Sequence, residues 1–201
     1  PQIMPVVLAE LEGKVSPDQL IISIAAGVTI ATIQEAQVDV SVIRVMPNTP
    51  ALIGLGISGM YATPGCSPRD REIAEQLLSA TGESIWVEEE QLIDVVTAVS
   101  GSGPAYYFLL TEALREAGEK LGLTPEAASS LAIHTAHGAG AMAMRSEVDI
   151  AELRKRVTSP GGTTQAALES FESDHLKEIV LRAVGAATRR ADELSRGGAA
   201  S

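Results

Sequence analysis

The sequence predicts an α/β unit followed by an all-helical unit. Short apolar, β-branched runs alternate with helix-like segments through the first part of the chain, which is typical of alternating strands and helices. From Glu90 onward every segment has helical spacing, and no β-branched run appears. We therefore expect one domain at residues 1–89 and a second, helical domain at residues 90–201.

Two apolar runs in the first unit, at residues 19–25 and 42–46, are short, and each is followed by Gly or Pro. They predict buried parallel strands. Thr29 can cap a helix between them that ends near residue 35, which completes a βαβ unit. Further strands are predicted at 57–62 and 84–87, and a helix at 68–81. Together these elements form the second half of a doubly wound α/β domain.

Helix starts define the second unit. Pro104 begins a helix that Gly122 ends, and Ser100 or Ser102 is its expected N-cap, although a direct contact of Ser102 with a ligand is an alternative. Thr124 caps the next helix. Later helices are expected from Asp149 to residue 157, at 165–171 and at 176–194, with a frayed tail at 197–201.

Composition argues against several classes of function. The formal net charge is −11, and the 15 Lys and Arg residues are scattered without a basic stripe, so nucleic-acid binding is not expected. The longest apolar stretches, such as residues 20–24, are far shorter than the ~20 residues of a membrane span. The single cysteine, Cys66, fits a reducing compartment, and we expect a cytoplasmic protein.

Some polar residues have simple structural interpretations. The acidic run at 88–90 is interpreted as a solvated domain junction, and Trp86 as a core or hinge residue. His134 and His137 lie three residues apart on one predicted helix, but no third ligand of suitable type is nearby in the sequence. We therefore expect packed or partner-facing histidines and no metal site.

The segment VTSPGGTTQAAL at residues 157–168 combines two glycines, two threonines, Ser159 and Pro160 immediately before a predicted helix. A helix start carries unpaired N–H groups and a partial positive charge, and Gly161 and Gly162 allow close approach of a ligand. A small carboxylate or phosphate is the expected guest. The alternative is a plain N-cap, in which Thr163 or Thr164 caps the helix.

Two loops follow the carboxyl ends of the first two predicted strands, where ligands bind in open α/β sheets. The loop AAGV at 25–28 contains Gly27, which lets a flat ring approach the backbone. The loop MPNTP at 46–50 contains Asn48, which could donate an amide hydrogen bond or serve as a turn residue.

Three motifs in this order, MPNTP, SGSGPAY (100–106) and SPGGTT (159–164), closely resemble those of pyrroline-5-carboxylate reductase. The resemblance covers essentially the whole chain, with one departure. The family begins with a glycine-rich dinucleotide-binding turn, whereas GLGISG (54–59) lies in a strand-like run and fails the structural test for that fingerprint. The resemblance therefore implies the C-terminal part of a doubly wound, Rossmann-like domain followed by a helical dimerisation domain, in a fragment lacking roughly the first third.

By this resemblance, the function is reduction of 1-pyrroline-5-carboxylate to L-proline with NADPH or NADH, in a homodimer or higher homo-oligomer, with the fragment inactive alone. Glu147 matches a family position near the substrate, although a solvated loop carboxylate is an alternative; with Thr164 it is a catalytic candidate. The implied substrate-binding residues are Ser159, Gly161, Gly162, Thr163 and Thr164; the implied cofactor-binding residues are Ala25, Ala26, Gly27, Met46, Pro47 and Asn48. Two alternatives stay open: a reductase of another small imino or keto acid, and a non-catalytic dimerisation or regulatory module.

Overall fold

The structure of the chain, a computed structural model, describes residues 2–37 and 40–197. Most of the tail that is expected to fray, at 198–201, lies outside these residues. By backbone packing the chain forms two compact units, one comprising residues up to Pro104 and from Ala183 onward, the other Ala105–Arg182. The first compact unit thus extends past the predicted domain boundary between residues 89 and 90 and also includes residues from Ala183 onward. The domain boundary itself stays a prediction.

A four-stranded sheet forms the centre of the first unit. Its strands, in spatial order, are β1 (Leu20–Ser23), β2 (Ser41–Met46), β3 (Gly56–Ala62) and β4 (Gly82–Trp86). β1 pairs in parallel with β2, which confirms that prediction, and β3 pairs in parallel with β4. β2 and β3 are antiparallel, because only a short 3-10 turn and Gly54, in the left-handed region at φ +71°, separate them, too little chain for a parallel crossover.

Among the described residues before Pro104, four α-helices accompany the sheet: α1 (Met4–Leu11), α2 (Ile30–Ala36), α3 (Pro68–Leu78) and α4 (Leu92–Val96). The Thr29 hydroxyl accepts the amide of Thr32 at the start of α2, as predicted. Ser67 and Asp70 form a capping box at the start of α3. α1 was not predicted from the sequence, because no capping side chain marks its start.

β2 is buried on both faces because its side chains alternate between two apolar clusters. Val42 packs with residues of α1 and α2, among them Leu8 and Ile33. Ile43 and Val45 pack on the other face, with Met60, Ala62 and Ala74. The sheet core therefore lies around β2, whose carboxyl end precedes the loop MPNTP.

A continuous helical path leads out of the first unit. α4 runs into a π-helical turn at Thr97–Gly101 and then α5 (Gly103–Lys120). The predicted cap by Ser100 is wrong, because its hydroxyl donates to the carbonyl of Val96 inside this path. The amide of Ser102 donates to Thr97 O, so Ser102 too follows a helical turn rather than opening a new helix.

The remaining helices are α6 (Pro125–Arg145), α7 (Ile150–Arg156), α8 (Thr163–Ser173) and α9 (Leu176–Gly197). Thr124 caps α6 through the amide of Ala127, and Asp149 caps α7 through the amide of Ala151, as predicted. The last helix contributes its residues from Ala183 onward to the first unit. None of the helices in the described part of the chain is long and apolar enough to cross a membrane.

Candidate functional site

The loops at 25–28 and 46–48 leave adjacent parallel strands at the same edge of the sheet. Ser23 and Arg44 are register partners near the ends of β1 and β2, so the two loops begin side by side. Gly27 adopts φ +71°, and a Cβ at this position would lie 3.2 Å from the Cβ of Leu194 in α9. The glycine therefore allows close approach of α9, a structural role that the sequence analysis did not foresee.

The carboxamide of Asn48 fixes the second loop to β3. Its Oδ1 accepts the amide of Ile57 at 3.0 Å, while Met46 packs beside the π-helical turn, where a Cβ on Gly101 would lie 2.9 Å from Met46 Cε. The bond to Ile57 supports the turn role for Asn48 and leaves the Nδ2 group as the one suited to donate to a ligand.

A buried charge cluster lies beside these loops and was missed by the sequence analysis. Arg44, whose side chain is 4% exposed, contacts Glu90 at 3.0 Å and Asp94 at 3.5 Å. Its Nη2 also donates to Ser195 Oγ at 3.4 Å. The interpretation of residues 88–90 as solvated is correct for Glu88 and Glu89 but wrong for Glu90. The available signal was the single arginine inside the apolar run VIRVM, because a buried charge needs a partner.

The carboxyl of Asp94 titrates away from its ordinary value because of its surroundings. Burial raises the pKa of its carboxyl above the ordinary value of 3.8, and the repulsion of Asp192 and Glu90 acts in the same direction. The charge of Arg44 and the hydroxyl of Ser195, which donates to Asp94 Oδ1 at 3.3 Å, lower it again without cancelling the effect of burial. Desolvation therefore dominates over the ion pair at this side chain.

The SPGGTT turn leads directly into α8 within the second unit. Gly161 adopts φ +71°, and Gly162 is the N-cap residue, with no side-chain cap. Neither Thr163 nor Thr164 caps the helix, because both already lie in its first turn. Their amides have no acceptor within the helix and remain at a terminus with partial positive charge.

The amides of the two glycines are engaged inside the turn, which differs from the expectation that they bind an anion directly. Gly162 N–H donates to Ser159 O at 3.0 Å. Gly161 N–H donates to Gln165 Oε1 at 2.8 Å, and Gln165 Nε2 in turn donates to Glu169 Oε1 at 2.7 Å. The turn is therefore held by its own backbone and by Gln165, a residue that the sequence analysis did not single out.

Glu147 and Thr164 both belong to the second unit. Glu147 is exposed in the connection between α6 and α7, and Thr164 is half-buried in the first turn of α8. Ser159 is exposed before that helix. The catalytic and binding roles of these residues stay predictions, as do those of the loops in the first unit.

His134 and the cysteine have local partners. His134 Nδ1 lies 2.8 Å from the carbonyl of Ser130, one turn earlier in α6. Cys66 is partly buried, and its Sγ donates to the carbonyl of Val42 at 3.4 Å. Within residues 2–37 and 40–197, no group of three or more His, Cys, Asp or Glu residues is placed to hold a metal ion.

Comparison with known sequences gives consistent matches along the chain. Residues 90–194 match the family model for pyrroline-5-carboxylate reductase dimerisation. The chain is 52% identical over 197 residues to a pyrroline-5-carboxylate reductase of Pseudomonas aeruginosa, covering 97% of this chain and 72% of the relative. It is 40% identical over 196 residues to the Arabidopsis thaliana enzyme of the same name, covering 98% and 71%.

Solved structures agree with these sequence matches. A pyrroline-5-carboxylate reductase from Coxiella burnetii superimposes with a TM-score of 0.93 at 42% identity, covering 97% of this chain and 73% of the other. A Plasmodium falciparum pyrroline carboxylate reductase, solved with NADP bound, superimposes with a TM-score of 0.87 at 32% identity, covering 97% and 78%. The predicted fold, a C-terminal part of a Rossmann-like domain followed by a helical region, is confirmed.

Proposed function

The chain belongs to the pyrroline-5-carboxylate reductase family, and we propose that it performs the reaction of that family, reduction of 1-pyrroline-5-carboxylate to L-proline with NADPH or NADH. The observation that carries this proposal is the 52% identity to a named reductase over nearly the whole chain. The substrate is a five-membered cyclic imine with a carboxylate. Its reduction adds a hydride to the imine carbon, while the nitrogen keeps the proton with which the iminium form enters.

The loops of the first unit fit a nicotinamide cofactor, which supplies the hydride when bound. Neither the loop at 25–28 nor the loop at 46–50 carries a charged side chain, so the loops themselves offer backbone and uncharged side chains to a flat ring. We propose that the backbone of Ala25, Ala26 and Gly27 and the side of Met46 and Pro47 line this ring. Asn48 Nδ2 is the donor that we assign to its polar edge, since Asn48 Oδ1 is bonded to Ile57.

The SPGGTT turn is suited to hold the substrate carboxylate. We propose that the amides of Thr163 and Thr164 bind it at the start of α8, together with the hydroxyls of Ser159 and Thr164. Gly161 and Gly162 serve by shaping the turn. Positioning of the imine is the main requirement of hydride transfer. We propose that the carboxylate of Glu147 interacts with the iminium nitrogen, because the substrate carries its positive charge there.

Several large apolar side chains of the helical unit are exposed to solvent. Phe108 and Tyr107 in α5 are each 70% exposed, Met144 in α6 is 79% exposed and Leu181 in α9 is 72% exposed. An apolar surface of this kind marks an interface. We propose that a second copy of the chain covers these side chains in a homodimer, consistent with the dimerisation model that matches residues 90–194.

The single cysteine of the chain supports a cytoplasmic location, where thiols stay reduced.

The function is tested by steady-state oxidation of NADPH in the presence of 1-pyrroline-5-carboxylate. Two proteins are compared: the chain itself, and a chimera in which residues 1–201 replace the matching part of the Pseudomonas aeruginosa relative, 72% of which the match covers. We expect the chimera to turn over and the chain alone to be inactive, because the pyrophosphate of a dinucleotide is normally anchored by a glycine-rich turn that the chain does not carry. A chimera that binds NADPH but does not oxidise it with this substrate would contradict the proposal.

A further inference from the structure

One carboxylate oxygen, Glu90 Oε1, accepts two hydrogen bonds from distant parts of the first unit. The amide of Ile30 donates to it at 2.8 Å, and Arg44 Nη1 donates to it at 3.0 Å. The Glu90 side chain is only 28% exposed. Both bonds are charge-assisted, and such bonds are short and directional.

The two donors are tied to the two candidate cofactor loops. Ile30 is the first residue of α2, immediately after the loop at 25–28 and its capping residue Thr29. Arg44 lies in β2, two residues before Met46, where the second loop begins. A single atom of Glu90 therefore bonds to the segment that follows the first loop and to the segment that precedes the second.

Arg44 is held from its other side as well, so the position of its guanidinium is fixed. Nη2 lies 3.5 Å from Asp94 Oδ1 and donates to Ser195 Oγ at 3.4 Å. Leu194, the neighbour of Ser195 in α9, lies against Gly27 of the first loop. The last turns of α9 thus pack on the same loop whose exit Glu90 fixes.

We infer that Glu90 is a positioning residue for nicotinamide binding, which sets the spacing of the loops at 25–28 and 46–48 without touching the cofactor. This inference rests on the proposed function. Removal of the carboxylate leaves the amide of Ile30 without this acceptor and deprives the buried charge of Arg44 of its closest partner. The two loops then lose their common anchor, and small misplacements of a binding surface have large effects on a reaction that depends on alignment.

Three variants of the chimera separate positioning from simple stabilisation. Glu90→Ala removes both bonds. Glu90→Gln keeps a neutral acceptor oxygen for both donors and removes the charge, which weakens the contact with the Arg44 guanidinium more than the bond from Ile30 N–H. Glu88→Gln makes the same change of charge two residues away, at an exposed side chain, and is the matched control.

We expect Glu90→Ala to raise both the Kd for NADPH, measured by fluorescence titration, and the KM for NADPH about tenfold. The KM for 1-pyrroline-5-carboxylate should change less. Glu90→Gln should lie between Glu90→Ala and the parent, and Glu88→Gln should equal the parent. If Glu90→Ala does not fold, as judged by near-UV circular dichroism, the comparison of Glu90→Gln with Glu88→Gln decides.

An unchanged Kd for NADPH in a folded Glu90 variant, with only a lower melting temperature, would overturn the inference and leave Glu90 as a stabilising residue. The titration needs no turnover. A parent that binds NADPH but does not reduce the imine contradicts the proposed function alone, whereas a parent that does not bind NADPH overturns the inference together with the assignment of the loops.

Discussion

The carboxamide of Gln165 folds back from α8 and accepts the amide of Gly161 at 2.8 Å. Its orientation is fixed because Nε2 donates to Glu169 Oε1 at 2.7 Å, one turn further along the helix. Since the side chain lies four residues after the glycine, the start of the helix holds the turn that precedes it. The candidate carboxylate site therefore depends on a residue that need not touch the substrate.

Replacement of Gln165 by Leu should weaken substrate binding in the active chimera. The Gly161 amide loses its acceptor, and the turn no longer holds the amides of Thr163 and Thr164 in one arrangement. We expect the KM for 1-pyrroline-5-carboxylate to rise roughly fivefold, the equivalent of about one hydrogen bond, with little change in the KM for NADPH. Glu169→Ala is the control, because it leaves the Gln165 oxygen in place and should have the smaller effect. Equal effects of the two variants on this KM would contradict the role assigned to Gln165.

A substitution of Gly161 tests the backbone of the same turn. At φ +71° an L-residue with a Cβ is strained by roughly 1–2 kcal/mol. Gly161→Ala should lower the free energy of unfolding by about 1 kcal/mol, measured by urea denaturation. Gly161→Asn should cost less, because asparagine tolerates the left-handed region. An Ala variant as stable as the parent would show that the turn relaxes to another conformation.

Local patterns in the sequence were sufficient to predict most elements. The caps at Thr29, Thr124 and Asp149 and the strands at β1 and β2 depend on residues close together in the chain, where periodicity and capping chemistry act. The SPGGTT turn was located for the same reason, since its glycines and threonines lie next to the helix that they begin.

The features that were missed depend on residues far apart in sequence. Arg44 bonds to Glu90, 46 positions away, and to Ser195, 151 positions away. The sequence of the acidic run at 88–90 does not indicate which of its three carboxylates forms an ion pair with an arginine. That pairing depends on the tertiary packing around β2 and α9. The role of Gly27 has the same origin, since its neighbour Leu194 comes from the last helix.

The pairing of β3 with β4 should depend strictly on Gly82. This glycine adopts φ +135°, and a Cβ there would lie 2.0 Å from the carbonyl oxygen of Gly56. Gly82→Ala should therefore destabilise the fold by about 3 kcal/mol or more, because strained backbone and a clash with backbone combine. Gly65→Ala is the control, since no atom lies within 4 Å of a Cβ at that position. Similar melting temperatures of the two variants would contradict this account.

A charge among the exposed apolar side chains of the helical unit, such as Phe108 and Met144, should disrupt the proposed homodimer. Phe108 is 70% exposed in α5, so Phe108→Glu costs the isolated chain little but places a carboxylate in the interface, where it would be desolvated without a partner. We expect sedimentation velocity to show monomer for this variant at concentrations where the parent is a dimer. Leu52→Glu, at an 89% exposed residue of the first unit, should leave the dimer intact. A dimer that persists in Phe108→Glu would place the interface elsewhere.

Asp94 gives a prediction for the dependence of stability on pH. Its folded-state pKa lies above the ordinary value of 3.8, so between these two values the folded chain binds more protons than the unfolded chain. The contribution of this carboxyl to the free energy of unfolding is therefore greatest below pH 3.8 and falls as pH rises through the folded pKa. Asp94→Asn lacks this contribution. The stability of the variant relative to the parent should rise across this window and stay constant above it.

The neighbours of Asp94 decide how wide that window is. Ser195 Oγ donates to the carboxylate and lowers its pKa, so Ser195→Ala should raise the folded pKa further and extend the loss of stability to higher pH. Urea denaturation of the parent and both variants between pH 3 and pH 8 measures these differences. If Asp94→Asn instead became less stable relative to the parent as pH rises, the attraction of Arg44 would outweigh desolvation. Asp94 would then stabilise the fold through its ion pair with Arg44. Attraction between opposite charges would hold the buried cluster together, despite the free-energy cost of desolvation.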